Sequence, residues 1–197
     1  MEYFAQNKQD LIVLKYLENK KNGYFLDIGC GYPLTINNTY LLEKKFDWEG
    51  ISIDIHDYKE PDGQTWYDLR RTKQILANAL DIDYLEILKE NNAPKVIDFL
   101  TMDLEPPDLT LECLFKIPFD KYSFNLILFE IDDEREPNFQ KRKKESRSYL
   151  KENGYKFLGN IVGQDDIYIH ESIDKNINFF ESMLEINIPE HIIKHFN

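Results

Sequence analysis

Two cysteines in 197 residues, Cys30 and Cys113, are too few for a disulfide framework or a cysteine-rich zinc cluster, so a reducing compartment is the default. No stretch approaches the roughly 18 successive apolar residues of a membrane span. The opening MEYFAQNKQDLIVLKYLENKK mixes acids and amides into its apolar pattern, unlike a signal peptide. Positive charge is also scarce. Lys and Arg total 24 against 36 Asp and Glu, a net charge of −12, which opposes nucleic acid as a partner because phosphate binding draws on excess cations. The one basic cluster, QKRKKESR (140–147), sits in a helical pattern and reads as a solvated face. Repeats, low-complexity tracts and Gly/Ser linkers are missing, so one domain over 1–197 is expected, with a helix in 1–20 and a helical tail in 171–197.

What is present is a folded composition, 42% hydrophobic and 14% aromatic, with strands and helices in alternation. Apolar residues at helical spacing from Phe4 to Leu17 predict the first helix. GYFLDIG (23–29) then reads as a buried strand, and NNTYLLEKKF as a helix with Asn37 or Asn38 as N-cap. EGISIDIHD predicts a second strand and QTWYDL a short third, followed by a helix over TKQILANALDIDYLEILKEN. KVIDFLTMDLE is a fourth strand, after which Pro106–Pro107 should stop regular structure. FNLILFEID, continuous and apolar, suits a central fifth strand. A helix from Asn138 to a stop at Gly154 leads to YKFLGNI and QDDIYIH, whose connection is too short for anything but an antiparallel pair. The sum is an α/β, seven-stranded, mostly parallel sheet with a C-terminal antiparallel hairpin: the Rossmann-like fold of class I methyltransferases.

In such sheets the turn after the first strand faces the ligand. The dinucleotide fingerprint G-x-G-x-x-G is incomplete, since Gly29 and Gly31 are followed by Leu34 in the third position, and no G-K-[ST] follows to make a phosphate loop. LDIGCGYP fits better the first motif of S-adenosylmethionine-dependent methyltransferases, an acid followed by G-x-G. Asp27 would then meet the ligand's amino group, and Gly29 and Gly31 would let the backbone approach its methionine and ribose portions. Asp54 ends the second strand, where a carboxylate can accept from both ribose hydroxyls. Asp68 lies where this fold commonly meets adenine, and His56 and Asp57 could border the same site. Cys30 has no basic neighbour and reads as small filler.

A longer stretch resembles FkbM-type methyltransferases, over roughly residues 4 to 170. Gln6, Gln9 and Asp10 match a Gln-x-x-Gln-Asp helix; Asn38, Thr39 and Tyr40 match an Asn-Thr-Tyr helix start; Trp48 and Gly50 match a Trp-x-Gly-Ile strand. Asp103 and Glu105 match the Asp-x-Glu that ends the family's fourth strand. The resemblance implies Asn38 and Thr39 as further cofactor-binding residues and a hydroxyl of a sugar, in a glycan or nucleotide sugar, as acceptor. It also implies a domain that could be cut from a larger glycan-building polypeptide with glycosyltransferase neighbours. Similar domains occur in bacteria and in large DNA viruses; with a reducing compartment as the default from the cysteines, the cytoplasm is expected, the host's in the viral case. Two departures stand out: the family's Gly-Ala-Asn-Asp-Gly is Gly29-Cys30-Gly31-Tyr32-Pro33 here, and Pro106–Pro107 follow Glu105 where the family has Gly and an acid.

If the acceptor is a hydroxyl, its proton must leave as the new bond forms, and a carboxylate at the mouth of the fourth strand is the expected base. Asp103 is assigned that role and Glu105 binding or orientation; alternation along a continued strand would let only one face the cleft. Glu130, Asp132 and Asp133 end the fifth strand, and carboxylates there beside Asp103 could hold a divalent cation, Mg²⁺ or Mn²⁺. The alternatives are a natural-product O-methyltransferase with the same cofactor and a non-catalytic binding domain, the latter suggested by the two prolines. A nicotinamide oxidoreductase ranks behind them because of Leu34.

Overall fold

The computed structural model describes residues 2–132, 137–173 and 178–194. The chain opens with α1 (Gln9–Tyr16), β1 (Tyr24–Ile28), α2 (Tyr40–Phe46) and β2 (Glu49–Asp54). A single helical turn, α3 (Trp66–Leu69), precedes β3 (Lys73–Leu76), and α4 (Tyr84–Glu90) leads into β4 (Val96–Met102). Then come α5 (Asp108–Leu114), β5 (Ser123–Glu130), α6 (Phe139–Glu152), the hairpin β6 (Tyr155–Ile161) and β7 (Asp165–His170), α7 (Phe179–Glu185) and a two-residue β8 (Ile193–Lys194).

The strands form one sheet in the order β3-β2-β1-β4-β5-β7-β6-β8. The first five are parallel, and β7 and β6 run antiparallel, so the expected seven-stranded plan with its terminal hairpin holds, with β8 added beside β6. Strand order reverses between β1 and β4, which opens a crevice beyond their carboxyl ends. Successive strand residues serve opposite faces. Leu26, Ile53, Leu100 and Phe129 pack with Leu88, Leu114 and Leu150 on one side, whereas Phe25, Phe99, Leu128 and Ile167 pack with Ile12, Leu42 and Met183 on the other. Burial on both faces is why these strands read as unbroken apolar runs. Among the described residues no helix is long and apolar enough to cross a membrane.

The third strand lies elsewhere than expected. QTWYDL is not a strand: Thr65 and Asp68 form a capping box, with the Thr65 N–H and hydroxyl each donating to Asp68 Oδ2 at 2.8 Å, and this turns the segment into α3. The strand is KQIL, which had been absorbed into the following helix. That long helix is broken by two caps: Asn78 accepts from the Leu80 N–H over a short 3-10 turn, and Asp83 accepts from the Glu86 N–H to begin α4. Pro106–Pro107 likewise start a helix instead of ending all order. A proline in a first turn loses no hydrogen bond, and α5 follows directly. The first helix begins at Gln9 because Asp10 Oδ2 draws the N–H groups of Phe4 and Ala5 back onto itself. In the tail, Phe179 sits so close to β6 that a Cβ on Gly159 would stand 2.2 Å from its ring. The described tail thus packs on the sheet, and truncating Phe179 to Ala should cost about 3–5 kcal/mol.

Candidate active site

The site begins where β1 runs out. Gly29 has φ 82°, and a Cβ there would stand 1.7 Å from the Asp103 carbonyl oxygen, so only glycine allows β1 and the end of β4 to approach. Gly31, at φ 61°, has nothing within 4 Å of a Cβ position and leaves the backbone open to the crevice. Asn37 holds the turn from below: its Nδ2 donates to the carbonyls of Cys30 (3.0 Å) and Tyr32 (2.9 Å). Its Oδ1 accepts from the N–H groups of Thr39 and Tyr40 and so braces the start of α2, whose N-cap position falls on Thr39 and not on Asn37 or Asn38 as expected. Asn38 instead donates to the Thr101 hydroxyl at 3.1 Å.

Two acids flank this turn. Asp54 accepts from the Gly31 N–H (2.9 Å) on one oxygen and the His56 N–H (2.9 Å) on the other. Asp27 is buried and accepts from the Thr39 hydroxyl at 2.8 Å. Burial pushes its carboxyl up to about 7, against the pull of Thr39 and of the Arg70 charge, while Asp103 and Asp54 add to the rise. Burial also pushes the Cys30 thiol well up, which fits an inert filler.

These groups line a cavity of about 350 Å³. Asp27, Gly29, Gly31 and Asn38 reach it from β1 and its turn, and Asp54, Ile55 and His56 from the end of β2. Tyr32 and Tyr58, their rings 4.9 Å apart, form an aromatic wall, while Ile36 and Ile55 stand 57% and 62% exposed at the mouth. Thr39 is behind the wall, acting on Asp27. Asp68 is outside the cavity, exposed and engaged as the α3 cap; the residues after β3 that do line it are Asn78 and Ala79.

The opposite wall is acidic. β4 ends at Met102, the chain turns, and both Asp103 and Glu105 line the cavity, so the alternation expected of a continued strand does not separate them. Asp103 lies beside Glu130 at the end of β5, close enough to act on its carboxyl group, and Glu130 stands opposite Asp165 across the β5–β7 ladder. Gln9 of α1 donates to Asp165 at 2.9 Å. Burial, then the hydrogen bond and charge of Asp103, push Glu130 far up, and burial pushes Asp165 up to about 7. Asp133 lies outside the described residues. Among the described residues no group of three or more His, Cys, Asp or Glu is placed to hold a metal ion.

Sequence reasoning missed Arg70 and Gln9 as members of the site's support. Arg70 is one of an adjacent Arg pair with no local signal. Gln9 meets Asp165 only through the folded sheet, 156 positions away.

No protein-family model matches the chain, and no curated protein does. Solved structures do. A chain from Clostridium thermocellum described as an rRNA-methylase matches with a TM-score of 0.53 at 13% identity, over 86% of this chain and 96% of that one. Precorrin-6y C5,15-methyltransferase from Geobacter metallireducens GS-15 matches at 0.50 and 10% identity, over 86% and 91%. The fold is that of the Rossmann-like class I methyltransferases.

Proposed function

We propose that the chain is an S-adenosylmethionine-dependent O-methyltransferase of the FkbM type, acting on a hydroxyl of a sugar in a glycan or nucleotide sugar. One observation carries this reading: the glycine turn, Asp27 and Asp54 converge on the same cavity that Asp103 and Glu105 close from the other side. The residues fit such a cofactor. The cavity of about 350 Å³ is within the range of small-molecule sites, Gly31 leaves backbone bare, and the walls carry acids toward a cationic ligand. The sugar acceptor rests on the Asp-x-Glu and Asn-Thr-Tyr resemblance.

When bound, the cofactor supplies an electrophilic methyl group on a sulfonium. Asp27 and the turn would hold its amino-acid portion and Asp54 its ribose. Asp103 takes the proton of the acceptor hydroxyl as general base, and Glu130, kept protonated by burial, steadies the Asp103 carboxylate by hydrogen bonding to it. Glu105 orients the acceptor at the mouth. Incubation with labelled methyl donor and a panel of free, glycan-linked and nucleotide-linked sugars tests the reading. Label transfer to a sugar oxygen is expected; donor binding with transfer to no sugar would remove the acceptor assignment.

A further inference from the structure

We propose that Arg70 is a positioning residue for donor binding, acting from beneath the glycine turn through Thr39 on Asp27 and through Asn37 and Pro33 on the turn itself. The inference rests on the methyl-donor reading of the cavity. Arg70 follows α3 directly, and its side chain is 0% exposed. Its Nε donates to Glu43 at 2.5 Å, and its ring-stacking partner is Trp66, 4.2 Å from the guanidinium carbon. Glu43 is saturated in turn by the Arg71 N–H and the Thr72 hydroxyl. One edge of the guanidinium is therefore anchored to α2, and the other is free to work on the site.

That other edge makes contacts to the site's own parts. One terminal nitrogen donates to the Pro33 carbonyl (3.1 Å) and to Asn37 Oδ1 (3.1 Å), the side chain that clamps Cys30 and Tyr32. The second donates to the Thr39 hydroxyl at 3.0 Å. A hydroxyl has a single proton to give. Having accepted from Arg70, Thr39 can hand its proton to Asp27 Oδ2 at 2.8 Å or to Asn37 Oδ1 at 3.1 Å. Asn37 Oδ1 already accepts from two backbone N–H groups and from Arg70, whereas Asp27 is shorter and an acid. The relay runs from Arg70 to Thr39 to Asp27.

The charged and titratable groups facing Asp27 make this relay decisive. Asp54 approaches from the end of β2, Asp103 from beyond β4, and Cys30 from the turn, all anionic when ionised. Arg70 is the cation set against them, and burial already favours the neutral acid. Without the relay Asp27 would be uncharged at neutral pH and would lose its hold on a ligand ammonium group.

The test is calorimetric titration with S-adenosylhomocysteine and with methylthioadenosine, which lacks the amino-acid portion, from pH 6 to 9. Wild type, Thr39→Val, Thr39→Ser and Arg70→Met are compared, with thermal melts of each. For wild type, homocysteine-ligand affinity should climb as pH rises through about 7. Thr39→Val should bind S-adenosylhomocysteine roughly fivefold more weakly at pH 7, with its climb displaced upward by about one pH unit. It should bind methylthioadenosine like wild type, and Thr39→Ser should restore both. Arg70→Met should show the larger displacement; if it does not fold, the Thr39 pair decides. Equal loss for both ligands, or a loss independent of pH, overturns the relay. Failure of the wild type to bind either ligand overturns the methyl-donor reading, and the inference with it.

Discussion

Asp27 lines the cavity on one side, Glu130 lies behind Asp103 on the other, and burial raises both carboxyl groups, yet their surroundings differ in kind. On the donor wall a hydroxyl and a buried guanidinium oppose the rise, and Asp27 is left poised near 7. On the acceptor wall Glu130 faces Asp103, Asp165 and Asp132, each of which drives it further up. In the proposed function the same residue chemistry is turned to two uses: a carboxylate that meets a cation, and a carboxylic acid that holds its proton beside the proposed base. Burial is the largest cause at both, and the neighbouring charges and hydrogen bonds set how far each is carried.

The contrast can be broken at several points. Asp103→Asn should lower methyl transfer by about 10²–10⁴-fold while leaving S-adenosylhomocysteine affinity intact, read by steady-state kinetics and calorimetry on the same preparation. Asp27→Asn should do the reverse, weakening the ligand by roughly a hundredfold, since it removes a charge-assisted contact. It should also stabilise the free protein. Asp27 carries a proton in the folded state up to about 7 and sheds it in the unfolded chain near its ordinary 3.8, so stability falls as pH rises between those values. The asparagine variant escapes that fall, and its melting temperature should exceed wild type by several degrees at pH 8 and by less at pH 5. An unchanged difference at the two pH values would mean Asp27 is ionised throughout.

Glu130→Gln should be mild, within about threefold of wild-type transfer, because an amide keeps a hydrogen-bond donor beside Asp103. A loss as large as that of Asp103→Asn would make Glu130 a proton carrier in its own right. Asp68→Ala should be the smallest effect of all: a slight drop in melting temperature from the lost α3 cap, with ligand binding unmoved.

The donor wall was legible in the sequence because its parts are local. Asp27, Gly29, Gly31 and Asn38 fall within one strand, turn and helix start, and each meets the cavity. Its support was not: Arg70 reaches the turn from beyond α3, a segment read as a short strand, where the Thr65–Asp68 capping box sets a helical turn against the strand preference of Trp and Tyr. The acceptor wall was legible only in pieces. Asp103 and Glu105 were found, but their joint exposure depends on β4 stopping at Met102, and the partnership of Glu130, Asp165 and Gln9 depends on β7 pairing with β5. Long-range pairing of that sort leaves no periodicity to read.

The most direct test of the central claim, that the cavity beyond β1 and β4 holds a methyl donor, is calorimetric titration of the purified chain with S-adenosylhomocysteine and, separately, with NAD. Micromolar binding of the first, with none of the second, is the predicted result. Binding of NAD, or of neither, would contradict the account.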